Sequence, residues 1–195
     1  APAEAPVGQG VQALLPLPAL AAGAAALGHV DVELDVDALA RRTFRHAGLG
    51  GARWSALSVA VAEATRPPAA GTPPTFWVVS LIIASPAQWV RDGEMLLPYP
   101  RRRDAPPVYS YIDVLRDASL AGALAGKAVF VGAVAAGLDA GLATPDAANG
   151  HPMPAVEFHA RAYQALLAGR VYSTATPALT LAATLLLLLA AMLLR

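Results

Sequence analysis

From Pro177 to Leu194 the chain reads PALTLAATLLLLLAAMLL, eighteen residues without a charge, relieved only by Thr180 and Thr184 and followed by Arg195. At about 1.5 Å per residue a helix of that length covers about 27 Å, close to the hydrocarbon thickness of a bilayer. A helix buried in a water-soluble core would carry a polar face, and this run has none. The sequence therefore predicts a membrane helix over 177–194, with Arg195 as a cytoplasmic flank. The rest of the chain must then fold beside a membrane.

The 195 residues suit one domain, or one domain with an appendage. Charged residues make up 14%, with 14 acidic and 14 basic side chains, so no field of one sign is available for nucleic acid. Cysteine is absent, which removes disulfides, thiolate metal sites and thiol nucleophiles together. The first residue is Ala1, and no basic stretch followed by an apolar one opens the chain, so the sequence reads as a piece of a longer protein.

Residues 1–27 are rich in Ala, Pro and Gly, and LPALAAGAAALG predicts a short helix ended by Gly28. In HVDVELDVDALARR, alternation sends Val30, Val32, Leu34 and Val36 to one face and Asp31, Glu33, Asp35 and Asp37 to the other. That predicts a half-buried strand ending in a turn near Asp35–Asp37. SALSVAVAEAT (Ser55–Thr65) predicts a helix, RPPAAGTPP breaks regular structure, and FWVVSLIIA (Phe76–Ala84) predicts an interior strand. Asp92-Gly93 reads as a hairpin turn, and Arg101–Pro107 as a basic loop.

Ser110 is placed to cap a short helix over Tyr111–Arg116, with Asp113 in its first turn. Ala128–Val131 predicts a core strand, and 144–153 a polar loop. Pro154 then opens a helix that Gly169 stops. Val156, Ala160, Tyr163, Leu166 and Leu167 form its apolar stripe, with Glu157 and Arg161 as an i,i+4 pair outside it. The fold class that results is α/β, a mixed sheet with helices packed on it, followed by the transmembrane helix.

LAGKAVFVGAVAAGLDAGLATP (Leu124–Pro145) raises a nucleotide question, since a strand opening onto a small-residue loop is how phosphate loops read. A Walker loop ends in Lys-Ser or Lys-Thr, whereas Lys127 precedes this strand, and the glycines do not fit G-x-G-x-x-G. The run is a strand and its exit loop. The Asp31–Asp37 carboxylates lack the glycine and distant glutamate of a calcium loop and read as a solvated face. Asp139, Thr144, Glu157 and His159 are the candidate sensing residues, because loop and helix start bring them to one strand end. His159, near the apolar stripe, is better read as a hydrogen-bonded structural histidine than as a ligand. A hydrolytic triad of Ser110, Asp113 and His159 is rejected, because no nucleophile elbow surrounds the serine. No catalytic residue, metal ligand or cofactor is assigned.

The ordered set SYIDVL, GKAVFVGAVAAGLD, TP and MPAVEFHARAYQALLAGR, followed by an apolar helix, resembles the second class of CHASE domain, the cyclase- and histidine-kinase-associated sensory extracellular domains of bacterial receptors. GHVDVELDVDALARR resembles that family's strand and acidic turn. The likeness runs in patches from Gly28 to Arg170 and is most specific over Ser110–Gly169. Alanine stands at 155 where the family has glycine, and Asp37-Ala38 stands where it has an aspartate-glycine turn. The family's more N-terminal portion and first membrane segment have no counterpart here.

The resemblance implies three parts: a partial N-terminal segment (1–27), an extracytoplasmic sensory domain (28–172) and the membrane helix (177–194). It implies a place on the outer face of a bacterial cytoplasmic membrane and a small-molecule or protein signal. Output would come from a kinase or cyclase in cis, as in two-component systems, with a homodimer as one open assembly. The residues themselves leave an alternative, a membrane-tethered α/β enzyme or metal-binding protein using Asp139, Glu157 and His159.

Overall fold

A strand that the apolar pattern hides organises the domain. The computed structural model describes residues 13–50, 52–65, 88–99, 105–135, 137–146, 152–175 and 177–193. Its central strand β2 is Ala40–Leu49, ARRTFRHAGL, with Ala40, Thr43, Ala47 and Gly48 buried. Three arginines disguise it: the guanidinium groups of Arg41 and Arg42 lie on carboxylates and Arg45 is exposed, while the small residues face inward. Strand β4, Trp89–Leu96, pairs antiparallel along most of β2, from Arg42↔Leu96 to Leu49↔Trp89. On the opposite edge lie β1, Glu33–Leu34, and β3, Trp54–Ser55, each also antiparallel to β2. The expected mixed sheet is therefore corrected. Among the described residues all named strands pair antiparallel, and the parallel contact is an isolated bridge, His29↔Ala56.

The acidic strand is shorter than its alternation implies, and of its predicted apolar face Val32 packs against the core while the other three residues are exposed. Val30 and Leu34 are exposed and Val36 fully so, while Asp31 and Asp35 are the partly buried side. Arginines on β2 and β4 satisfy those carboxylates, so ion pairs set the orientation that hydrophobicity alone would reverse. The turn falls where expected: Ala38 N–H donates to the Asp35 carbonyl at 2.8 Å, and Ala38 takes the left-handed conformation, φ 61°.

Asp92-Gly93 is not a hairpin turn but the middle of β4. The register runs unbroken from His46↔Asp92 to Phe44↔Glu94, and Gly93 has φ 65°. A Cβ there would meet the Arg45 Cβ at 2.9 Å, so glycine serves close strand passage rather than chain reversal. The predicted strand Phe76–Ala84 and the breaker before it lie outside the described residues, as do 101–104 of the basic loop and 147–151 of the polar loop.

Helix α1 is Pro18–Gly23, ending before Gly28 because Ala24 is already extended. Helix α2 is Leu57–Thr65, and α3 is Tyr111–Arg116, with the Ser110 carbonyl receiving the Asp113 and Val114 N–H groups at 3.1 Å. Helix α4 is Leu120–Leu124. Ala128–Val131 forms no named strand among the described residues, and Val129 and Val131 are exposed. The run instead lies along helix α5, Ala155–Leu167, with the Phe130 ring 5.6 Å from that of Tyr163.

Helices α2 and α5 cover one face of the sheet. Ala40, Leu97, Met153, Phe158, Ala162 and Ala165 form one core cluster, and Ala56, Val59 and Met95 a second. Phe158 is fully buried, which contributes about 1.5–3 kcal/mol. The deepest face of α5 is thus Phe158, His159, Arg161, Ala162 and Ala165, not the predicted stripe, whose members are half-buried flanks or, like Leu167, exposed. Two alanines let the helix approach closely, and small residues weigh little in a hydrophobic pattern. Pro154 is the N-cap rather than the first helical residue. Gly169 ends the helix as expected, at φ 64°, with Arg170 N–H donating to the Ala165 carbonyl at 2.9 Å.

Helix α6, Pro177–Leu193, occupies the apolar run. Its 17 described residues span about 26 Å. Among the described residues no helix is long and apolar enough to cross a membrane, so the expected span is not shown.

Candidate functional site

The loop after Ala128–Val131 delivers one carboxylate to the start of α5. A turn closes it, with Leu138 N–H donating to the Ala135 carbonyl at 3.0 Å, and Asp139 follows. One Asp139 oxygen receives the Gly141 N–H at 2.9 Å and the other the Ala155 N–H at 2.8 Å. Gly132 lets this loop press on the helix, since a Cβ there would meet Val156 Cβ at 2.5 Å. The N-terminal end of α5 is where an anion is favoured by free N–H groups and the helix dipole, and Asp139 supplies that anion from within the chain.

Thr144 and Glu157 join a second arrangement, centred on a residue that the sequence placed outside the core. Arg161 is 8% exposed. Its guanidinium donates to Glu157 at 2.8 and 3.0 Å and to Asp146 at 2.7 Å, and the Thr144 hydroxyl donates to the other Asp146 oxygen at 3.0 Å. The i,i+4 pair was legible, but its burial was not, because Asp146 is a distant partner in a polar loop. Nearby, the Tyr99 hydroxyl donates to the Ala40 carbonyl, and burial pushes its pKa up.

His159 stands apart from these three. It is 3% exposed, edge-on to Phe158 with ring centroids 5.6 Å apart, and its Nδ1 has no hydrogen-bond partner. Burial, with His29 nearby, depresses its pKa to about 4, although a hydrogen bond to the Val30 backbone works the other way. His29 is also buried. Its Nε2–H donates to the Phe44 carbonyl at 3.1 Å, and its Nδ1 accepts the Asp31 N–H at 3.2 Å, an arrangement that holds the ring neutral. Asp139, Thr144, Glu157 and His159 are therefore not one ligand-facing cluster. Three hold the α5 start and its loop, and the fourth packs toward His29. The shared metal or catalytic site of the alternative reading loses its geometry, and among the described residues no three His, Asp or Glu side chains converge as a metal would require.

On the other side of His29 lies an open cleft of about 500 Å³, lined in part by Leu14, Leu27, Trp54, Trp89, Asp31 and Arg91. The Trp54 and Trp89 rings stack with centroids 6.4 Å apart. Trp89 Nε1–H and Arg91 both donate to Asp31, at 2.9 Å and at 2.5 and 3.0 Å, and Arg91 lies 5.7 Å from the Phe44 ring centroid. Burial works to raise the Asp31 carboxyl pKa, and these hydrogen bonds outweigh it, leaving it lowered. Asp31 carries no sequence signal for this role beyond its alternation, because Arg91 is 60 residues away.

A small α/β domain whose charged side chains tie a helix start, a turn and a sheet margin together, and which runs directly into an apolar helix, has the makeup of an input module. The chain belongs to the CHASE2 domain family, whose model matches residues 5–194. CHASE2 domains are sensory extracellular domains of receptors. No curated protein and no solved structure gives a significant match.

Proposed function

We propose that this chain is the extracytoplasmic input domain of a bacterial membrane receptor, and that α6 carries its signal through the membrane to a cytoplasmic kinase or cyclase in cis. Family membership supports the sensory role. The observation that carries the membrane part is the surface of α6, where Leu181, Leu185, Leu186, Leu187, Leu188 and Met192 are all exposed. An uncharged helix with its leucines uncovered on several sides is costly in water and suits lipid. Arg195 follows as a cytoplasmic flank. In this reading residues 28–172 lie on the periplasmic side and 1–27 are a partial N-terminal segment.

The test is an insertion of about ten Gly and Ser residues after Ala175 in the full-length protein, which adds slack between domain and helix. The effector's output should stop following the input domain while thermal unfolding of the domain is unchanged. An output regulated as before would contradict transmission through α6.

A further inference from the structure

The stretch between α5 and α6 is not a free tether. Leu96 N–H donates to the Tyr172 carbonyl at 2.8 Å and Tyr172 N–H to the Leu96 carbonyl at 3.2 Å, an antiparallel bridge on the edge of β4 away from β2. Two residues further along each segment, one Glu94 oxygen accepts both the Thr174 N–H at 3.1 Å and the Thr174 hydroxyl at 2.5 Å. Residues 172–174 thus follow the edge of β4, held by one backbone bridge at Tyr172 and by the Glu94 side chain at Thr174. Val171, just before them, packs against both core clusters.

Glu94 faces two ways. Its other oxygen takes the Arg42 guanidinium of β2. The Arg42 Nε lies 2.9 Å from Asp35 in the β1–β2 turn, an ion contact without hydrogen-bond alignment. Asp35 also receives Arg41 at 2.7 Å, and Arg41 reaches Asp37 at 2.7 Å. A continuous series of charged contacts thus runs from the acidic turn through Arg42 and Glu94 to Thr174. Only residues 175 and 176 separate Thr174 from Pro177, the first residue of α6.

We propose that residues 172–174 form a coupling clamp in which Glu94, held by Arg42 on the central strand, fixes the start of α6 to the edge of β4 that faces away from β2. The clamp rests on the reading of this chain as an input domain and assigns the route of its output. Movement reaches α6 from the sheet margin through Glu94, in addition to the covalent path from the end of α5. A step of three residues, at most about 11 Å, leaves little slack to absorb it. The contacts are partly solvated, so the clamp can open without the core unfolding.

Amide hydrogen exchange on the whole chain in detergent micelles tests this. Arg42→Gln touches no linker residue, yet it should speed exchange at the Thr174 and Tyr172 amides by about tenfold, while Ala162 in α5 keeps its wild-type protection. Wild-type rates at both linker amides would overturn the proposal. Should Ala162 also lose protection, Thr174→Val decides. It removes one hydroxyl from the clamp and nothing from the core, so a faster Tyr172 amide supports the clamp and an unchanged one overturns it. Exchange rates depend on neither effector nor topology, so failure here leaves the receptor reading standing, and failure of that reading leaves these rates as they are.

Discussion

The Asp139 carboxylate lies 2.8 Å from the Ala155 N–H, at the helix end where a nucleotide-binding loop would hold phosphate. This explains why a glycine- and alanine-rich run after an apolar segment resembles a phosphate loop without being one. The loop has the same task, bringing negative charge to helix N–H groups, and the charge is its own. Lys127, twelve residues earlier in the chain, has no part in it.

Removing that charge should loosen α5. Asp139→Ala is expected to lower stability by about 1–2 kcal/mol in urea unfolding, and Asp139→Asn by less, because the amide oxygen still accepts one N–H. Equal losses in both would show that shape rather than hydrogen bonding holds the loop.

Ala38 occupies a left-handed conformation that glycine adopts without strain. Ala38→Gly should therefore raise stability by about 0.5 kcal/mol, the relief of strain exceeding the greater freedom of glycine in the unfolded chain. A lower melting temperature for this variant would mean that the turn does not rest in that conformation.

Arg161 holds two carboxylates from a nearly buried position. Arg161→Met leaves Asp146 and Glu157 without their cation and should cost about 3 kcal/mol. Arg161→Lys should recover part of this, since an ammonium cannot reproduce the forked geometry. A neutral Arg161→Met in chemical denaturation would remove the network from the account of α5.

His159 predicts a pH dependence with a definite sign. Its folded pKa is about 4 against an ordinary 6.5, so the unfolded chain binds the proton first as pH falls. The contribution is fully present above about pH 6.5 and is lost as pH falls toward 4, by up to about 3 kcal/mol. His29, also lowered by burial, acts in the same direction. Unfolding free energies from pH 7 to 4.5 should fall less steeply in His159→Gln than in the wild type. Parallel curves would count against a neutral buried ring.

Much of the local architecture could be read from residue order. Ser110 opens α3, Gly169 stops α5, and the turn falls at Asp35–Ala38, because each depends on a few adjacent residues. What was illegible depends on distant partners. Arg41, Arg42 and Arg45 hide β2 until the carboxylates at 35, 37 and 94 are seen beside two of them. Val30 and Val36 of the acidic strand point outward, whereas Val32 packs on the core, because Asp31 is drawn to Arg91. Gly93 looks like a turn until Arg45 is seen crossing over it. For the candidate site, Asp139 lies at the α5 start, and Thr144 and Glu157 lie in a network with Arg161 and Asp146, which residue order does not single out. His159 shares their stretch of sequence, whereas the helix turns it toward His29.

The central claim, that the domain lies outside the cytoplasmic membrane and α6 passes through it, is tested most directly by paired reporter fusions in the full-length protein, after Gly169 and after Arg195. The account predicts a reporter active only when exported at Gly169, and a reporter active only in the cytoplasm at Arg195. The reverse pattern, or the same compartment at both positions, would contradict it.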